Sequence, residues 1–421
     1  MPRDVFLPPS IEPPPTRPGL HWLACPWTPE ILGRLVAALR DGGEALRSIS
    51  SADLLDAWVD TVEVFRDAAS AERQGLDPEL SRLCKLSPEG LSAGLAAVLG
   101  GVRREAAGAL LAAAEAQRAG APRAPVLVVL ASNLPGLAVQ PLLPALALRR
   151  PVLLKSPSAE PLFAASFLTV LAQREPRLAG AVAAVAWPGG DPRLEEPVLA
   201  AMGRVIAYGD APALADLERR APGKVVSYGP RTSLAVIGAA VAPERVAEGL
   251  ARDIALFDQR GCLSIAAVYT AGDPERLAGL LEEALRERAR SWPPGPADAV
   301  SLAAVQQIRL EAEMRGLRIS RLPVTDGTVL VDPDPAFRPS PGLRTVRVHP
   351  LADLSLLPEI LASWKDRLQG AALSGDDAWR LADRLAGLGV SRCTAPGDLQ
   401  SPDASWHNGG VNPLAALGPD R

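Results

Sequence analysis

The residues best suited to chemistry are a cysteine in a glycine turn and two polar residues at strand ends. Cys262 closes the stretch Asp258-Gln259-Arg260-Gly261, between an amphipathic segment and the apolar run Leu263 to Thr270. A thiol so placed is reachable by substrate while the flanking elements hold it still, which covalent catalysis requires. The competing reading is that free cysteine is commonly buried and packs as a small hydrophobe. Arg252 and Arg260 lie close in sequence and favour thiolate wherever they face the sulfur. Cys262 is therefore the candidate nucleophile. The other two residues are Asn133 and Lys155.

The elements around Cys262 are legible from periodicity. Val246, Leu250 and Ile254 recur every four residues, with Ala247, Ala251 and Phe257 on the same face, so a helix follows Pro243. Leu263 to Thr270 reads as a mostly buried strand. Upstream, Val126 to Ala131, Pro151 to Lys155, Gly180 to Trp187 and Arg204 to Tyr208 read as strands. They alternate with helical segments such as Glu160 to Arg174, joined by short proline and glycine turns. This pattern predicts an α/β fold with a doubly wound parallel sheet. In such sheets ligands sit at the carboxyl ends of strands, where Asn133, Lys155, Gly189 and Gly209 fall. Asn133 also reads as a simple turn former, and Lys155 as an exposed strand-end lysine. No glycine-rich dinucleotide fingerprint follows the first strand.

Ile31 to Arg118 has helical spacing of alanine, leucine and charged residues, with interruptions near Ser50, Gly75 and Pro88. Ser87-Pro88-Glu89 combines a cap, a first-turn proline and an acid, which marks a helix start. After Cys262, helices are expected over Pro274 to Arg290 and Val300 to Arg315, separated by Trp292 to Pro296. A strand is expected over Gly342 to His349.

Composition narrows the function classes. The 421 residues call for two or three domains, and 44 basic against 48 acidic residues leave a net charge of -4 with no basic block. Nucleic-acid binding is not expected. Cys25, Cys84, Cys262 and Cys393 are scattered, as are His21, His349 and His407, so neither a disulfide framework nor a zinc site is expected. Ala124 to Leu148 is uncharged and long enough to span a bilayer, but Pro135, Gly136, Pro141 and Pro144 divide it. A strand, a turn and a short helix fit it better. No membrane insertion is expected, and the proline-rich stretch Met1 to Pro18 lacks a signal-peptide pattern. It reads as a flexible arm on a cytoplasmic protein.

The residues carry a family resemblance at several places. Ala131-Ser-Asn133-Leu-Pro135, Val152-Leu-Leu-Lys155-Ser-Pro157, Tyr228-Gly-Pro-Arg-Thr-Ser233 and Gln259-Arg-Gly-Cys262 follow in order. Leu86-Ser-Pro-Glu-Gly-Leu91 and Trp406-His-Asn-Gly-Gly410 join them. From about residue 85 onward the chain resembles the aldehyde dehydrogenase superfamily, and within it the bacterial fatty acyl-CoA reductases of the LuxC type, which supply aldehyde for bioluminescence.

The resemblance implies an aldehyde dehydrogenase-like fold. It places a proline-rich arm at 1–20, a helical region with the cofactor domain at 21–236, a thiol domain at 237–392 and a return segment at 393–421. It makes Cys262 the acyl-accepting thiolate and Asn133, with the Cys262 backbone amide, the oxyanion donor. Lys155, Gly189 and Gly209 would contact NADPH. The substrate would be an acyl-CoA or an acyl carrier protein, and a homo-oligomer is a family expectation. A hydrolytic member carries a glutamate where this chain has Ser227. Serine cannot act as general base near neutral pH, which suits a reductase whose acyl thioester must await hydride.

Two features depart further. The later glutamate-phenylalanine motif has no counterpart around Arg338 to Leu351, and Asp210 follows Gly209 where an anionic cofactor would approach. The group that takes the hemiacetal proton is unassigned, with His407 the one histidine close to a matched motif. A noncatalytic scaffold and a thiol-dependent acyltransferase remain as alternatives.

Overall fold

The computed structural model describes residues 4–12, 27–118, 124–131 and 134–418. Two parallel sheets organise them. The first contains β1 (Val126–Val129), β2 (Val152–Lys155), β3 (Val182–Val185), β4 (Arg204–Tyr208) and β5 (Val225–Tyr228) in the order β3-β2-β1-β4-β5. The second contains β6 (Thr232–Ile237), β7 (Ile265–Thr270), β8 (Thr328–Val331), β9 (Thr345–Pro350), β10 (Leu368–Ser374) and β11 (Arg392–Thr394), ordered β11-β10-β6-β7-β9-β8. Strand order reverses at β1 in the first sheet, opening a crevice at the carboxyl ends there. The change of sheet occurs over Gly229 to Arg231. That is a few residues ahead of the expected division after Val236, because β6 hydrogen-bonds to β7 and β10.

The continuous apolar strands are buried because helices cover both faces. On the amino-terminal side these are α1 (Pro29–Ser48), α2 (Ser51–Arg66), α3 (Ala71–Cys84), α4 (Pro88–Gly100) and α5 (Arg104–Arg118). Thr28, Ser50, Ser70 and Ser87 cap α1 to α4 through their side-chain oxygens. The expected breaks at Ser50 and Pro88 are thus helix starts. The one at Gly75 is not a break: α3 runs through it, and the chain turns instead at Asp67 to Ser70, where Asp67 accepts a hydrogen bond from the Ala69 N–H. Isolated glycine lowers helix stability by only about 1 kcal/mol, which the packed Leu76 and Leu80 face offsets.

Between the strands run α6 (Val139–Ala147), α7 (Leu162–Arg174), α8 (Pro192–Ala201) and α9 (Ala211–Arg220). In the second half come α10 (Ala247–Ala255), α11 (Pro274–Ser291) and α12 (Ala299–Met314). The uncharged stretch Ala124 to Leu148 resolves into β1, a turn and α6. No helix among the described residues is long and apolar enough to cross a membrane.

Both ends of the chain are tied to the first sheet's layers. Phe6 pairs antiparallel with Ala184 at the β3 edge through two backbone hydrogen bonds of 2.9 Å. The return segment lies against α4 and α6: Gln140 Nε2 donates to Pro402 O at 3.2 Å, and Arg150 Nη1 to Leu417 O at 2.7 Å. At Gly101 a Cβ would stand 1.8 Å from Pro402 O, inside any tolerable contact. Gly101→Ala is therefore expected to cost about 1–3 kcal/mol by forcing the two backbones apart, read as a lowered denaturation midpoint at unchanged m-value.

Candidate active site

The segment leading to Cys262 is built on an unusual turn. After α10, Phe257 (φ 54°), Asp258 (φ 52°) and Gln259 (φ 65°) all adopt left-handed backbone conformations. For residues bearing a Cβ this costs roughly 1–2 kcal/mol each, so the turn persists only if its side chains are anchored. Each is. The Phe257 ring fills the notch left by Gly94 on α4, where a Cβ would meet it at 2.3 Å. Asp258, buried, accepts from Arg344 Nη2 at 2.7 Å and from the Gly295 N–H at 3.0 Å. Gln259 Nε2 donates to Ile265 O at 2.7 Å and Thr345 O at 2.8 Å, and its Oε1 accepts from the Thr345 N–H at 2.7 Å. The Gln259 amide thus stitches β7 to β9.

Downstream of this turn Ser264 N–H bonds to Gly261 O at 3.0 Å, and Ser233 Oγ on β6 donates to Cys262 O at 2.8 Å. These contacts hold the main chain of Cys262 at the amino end of β7. Its side chain is half-buried and lines a cavity of about 880 Å³ between the two sheets. Tyr208 and Gly209, at the carboxyl end of β4, and Tyr228, at the end of β5, form the facing wall. Val98, Leu130, Leu134, Leu137 and Leu263 make one side apolar. Gln369, Trp406 and Asn408 close the remainder.

Burial pushes the Cys262 thiol up to about 11, partly opposed by its own backbone N–H, by Arg231 and by the Leu263 N–H. The expectation that Arg252 and Arg260 supply the local positive charge is corrected. Arg252 Nη1 donates to Gly397 O at 2.8 Å, and Arg260 donates to the carbonyls of Cys84 and Lys85. Both guanidiniums serve as backbone ties, and Arg231, next to the change of sheet, is the cation that acts on the sulfur.

Acidic groups are sparse here. Asp210 is the one carboxylate among the described residues lining the cavity. It caps α9, accepting from the Ala213 N–H at 2.9 Å, which explains its place beside Gly209. Ser227 lies exposed on β5 while its neighbour Tyr228 faces the cavity.

A second crevice of about 230 Å³ adjoins the first across Ala213. Lys155, Trp187, Gly189 and Gly190 line it beside Leu127, Val129 and Leu199. The Lys155 ammonium stands 5.2 Å from the Trp187 ring centroid. Burial lowers its pKa, opposed by Glu195, whose carboxylate is paired with Arg220 at 2.6 Å. A Cβ on Gly189 would come within 3.8 Å of the ammonium. Apolar walls, one desolvated ammonium and the Arg220-paired carboxylates of Glu195 and Asp216 line the crevice, a set that fits a nucleotide's ring and its ribose oxygens.

Lys155 and Gly189 are thus brought together, and Gly209 joins Cys262 across the larger cavity. Asn133 lies outside the described residues. His407 is exposed, interacting with Asn412 at 3.2 Å, and is not on the cavity wall. Sequence reasoning missed Tyr208, Tyr228, Arg231, Gln369 and Asn408. One signal was available for the first two: the chain has three tyrosines, and two of them end adjacent strands.

Comparison with known proteins agrees with this architecture. The model of the acyl-CoA reductase (LuxC) family matches residues 64–418. A long-chain acyl-protein thioester reductase of Aliivibrio fischeri is 28% identical over 279 residues, covering 64% of this chain and 57% of that protein. A protein of the same description from Vibrio harveyi is 25% identical over 306 residues, covering 70% and 63%. The chain therefore spans about three-fifths of these relatives' length. Among solved structures, aldehyde dehydrogenase 21 from Physcomitrella patens superposes with a TM-score of 0.71 at 15% identity, over 93% of this chain and 88% of that one. An indole-3-acetaldehyde dehydrogenase from P. syringae, solved with NAD+, gives 0.66 at 14% identity, over 91% and 84%. The fold is aldehyde dehydrogenase-like, with two parallel sheets and a helical amino-terminal region.

Two outcomes test the geometry. Gln259→Ala strips partners from buried groups at Ile265 and Thr345, and at about 1–3 kcal/mol for each orphaned group it is expected to destabilise the protein by several kcal/mol in chemical denaturation. In the ligand-free protein, alkylation of Cys262 should be slow near pH 7 and rise as pH approaches 11. Arg231→Met should displace that profile upward. An unchanged profile would show that Arg231 does not act on the sulfur.

Proposed function

Because the chain belongs to the acyl-CoA reductase (LuxC) family, we propose that it reduces a long-chain acyl thioester to the aldehyde through an acyl group held on Cys262, with NADPH as reductant. The observation that carries the reading is Cys262, half-buried on a large cavity whose one acidic lining residue is engaged in capping a helix.

The chemistry divides between the two sheets. Cys262 Sγ attacks the thioester carbonyl, a carbon–sulfur bond forms as the bond to the carrier sulfur breaks, and the thiol proton leaves with the carrier thiol. The Cys262 backbone N–H and the amide of Asn133 would hold the developing oxyanion, each donor contributing on the order of 3 kcal/mol. Among the described residues lining the cavity no free carboxylate is left to activate water: Ser227 is exposed, and Asp210 is committed to the α9 amide. The acyl group waits. Val98, Leu130, Leu134 and Leu137 offer its alkyl chain an apolar wall.

When bound, the nicotinamide nucleotide supplies the hydride. Lys155 and Gly189 would hold its adenosine end in the smaller crevice, with the Lys155 ammonium available to a 2'-phosphate, and Gly209 would let its backbone approach beside Cys262. The first sheet and its helices are on this reading the cofactor half, and the second sheet the thiol half. The relatives' description favours an acyl-protein as the acyl donor, and the family's description favours acyl-CoA.

Incubation with acyl-CoA of graded chain length, followed by peptide mass spectrometry, is expected to show an acyl increment on the peptide containing Cys262, with NADPH oxidised in the same mixture. Cys262→Ala should lose both. An adduct without nicotinamide oxidation would point to acyl transfer, and no adduct at any chain length would refute the reading.

A further inference from the structure

Beside Cys262 stands a chain of side chains that the proposed reaction has not used. Tyr208, ending β4, stacks on Tyr228 with ring centroids 4.9 Å apart and planes at 17°. The Asn408 side chain and Cys262 both stand within interaction range of its hydroxyl. Asn408 Oδ1 in turn accepts from Gln369 Nε2 at 2.7 Å. Gln369 is fully buried on β10, and its Oε1 has no partner. All four residues line the cavity that holds the thiol, with the exception of no member.

The directions of these bonds matter. Oδ1 of Asn408 is engaged by Gln369, which leaves the Asn408 NH2 as the group offered to the phenol oxygen of Tyr208. The phenol proton is then free to point elsewhere. Burial, together with the Tyr228 ring, holds Tyr208 far above the ordinary tyrosine range, so the hydroxyl is neutral and available as a donor at every working pH. A buried amide with an unsatisfied acceptor is costly to keep, and such groups call for a functional explanation.

Resting on the acyl-enzyme reading above, we propose that Tyr208 is a catalytic hydrogen-bond donor to the substrate carbonyl oxygen at Cys262, with Asn408 and Gln369 positioning its hydroxyl. As Sγ adds to the carbonyl carbon, the carbonyl π pair moves onto oxygen and meets the phenol proton. When the oxyanion collapses, the pair returns to the carbon–oxygen bond, the carrier thiol departs with the proton lost by Cys262, and Tyr208 is unchanged. No further reactant is needed.

The test is the rate of acyl transfer from acyl-CoA to the full chain in single turnover, read by mass spectrometry without nicotinamide nucleotide. Tyr208→Phe keeps the stack on Tyr228 and is expected to slow acylation roughly 100-fold, as loss of one oxyanion donor does, at unchanged half-saturating acyl-CoA and melting temperature. Asn408→Ala should lose roughly tenfold, and the double variant should be no slower than Tyr208→Phe alone, because Asn408 acts only through the phenol. Acylation of Tyr208→Phe within about threefold of the parent would overturn the inference and leave the proposed function standing. If Tyr208→Phe folds poorly, an undiminished Asn408→Ala rate overturns it equally. A parent protein that accepts no acyl group sinks both.

Discussion

Three consecutive left-handed residues, Phe257 to Gln259, are the constraint on which the thiol site depends. Left to itself such a turn costs roughly 3–6 kcal/mol. The fold offsets that cost with contacts drawn from distant parts of the chain: Gly94 on α4 makes room for Phe257, Arg344 and Gly295 hold Asp258, and Thr345 and Ile265 hold Gln259. A second left-handed run, Gly342 to Arg344, lies opposite and supplies the guanidinium. The turn is thus a meeting point of the amino-terminal helices, the Trp292 to Pro296 break and β9. Cys262 is placed by the tertiary structure rather than by its neighbours in sequence.

The two sheets meet at this point with opposite polarity. The first offers carboxyl ends of strands, with Gly209, Tyr208 and Tyr228, as parallel sheets commonly do. The second offers the amino end of β7. A thiol on one lip can therefore face groups on the other across a space wide enough for an acyl chain. The return segment seals the arrangement by carrying Asn408 and Trp406 back to the cavity while Leu417 and Pro402 are fastened to the first sheet's layers.

How much of this was legible follows from the range of each interaction. β4 is observed over the segment its apolar run suggests, and β1 to β3 fall inside theirs, because burial on both faces leaves a continuous apolar signature. Ser87 announced a helix start because a cap is a contact over three residues, and the interruption expected near Ser50 is a cap of the same kind. Cys262 stood out through its turn. The strands β8, β10 and β11 were not singled out, since β11 is three residues long and the other two carry no marked boundary. Arg252 and Arg260 misled because proximity in sequence says nothing of which carbonyl a long side chain will reach. The Tyr208, Asn408 and Gln369 contact joins residues as much as 200 positions apart, and no local pattern encodes it. The Trp406-His-Asn-Gly-Gly410 string did mark a segment at the cavity, where Asn408 lines the wall and His407 does not.

The thiol's raised pKa bears on how an acyl group would be held on it. Burial makes ionisation of the thiol near pH 7 unfavourable in the ligand-free protein. The same basicity makes the Cys262 sulfur a poor leaving group, so an acyl group once attached is retained more firmly than on an acidic thiol. Retention would matter only where water is not activated, and Asp210, the one carboxylate among the described residues lining the cavity, is engaged by the first turn of α9. A firm acyl bond without an activated water requires another way to discharge it. The crevice around Lys155, adjoining the thiol cavity across Ala213, places a nucleotide-sized space where that discharge would begin.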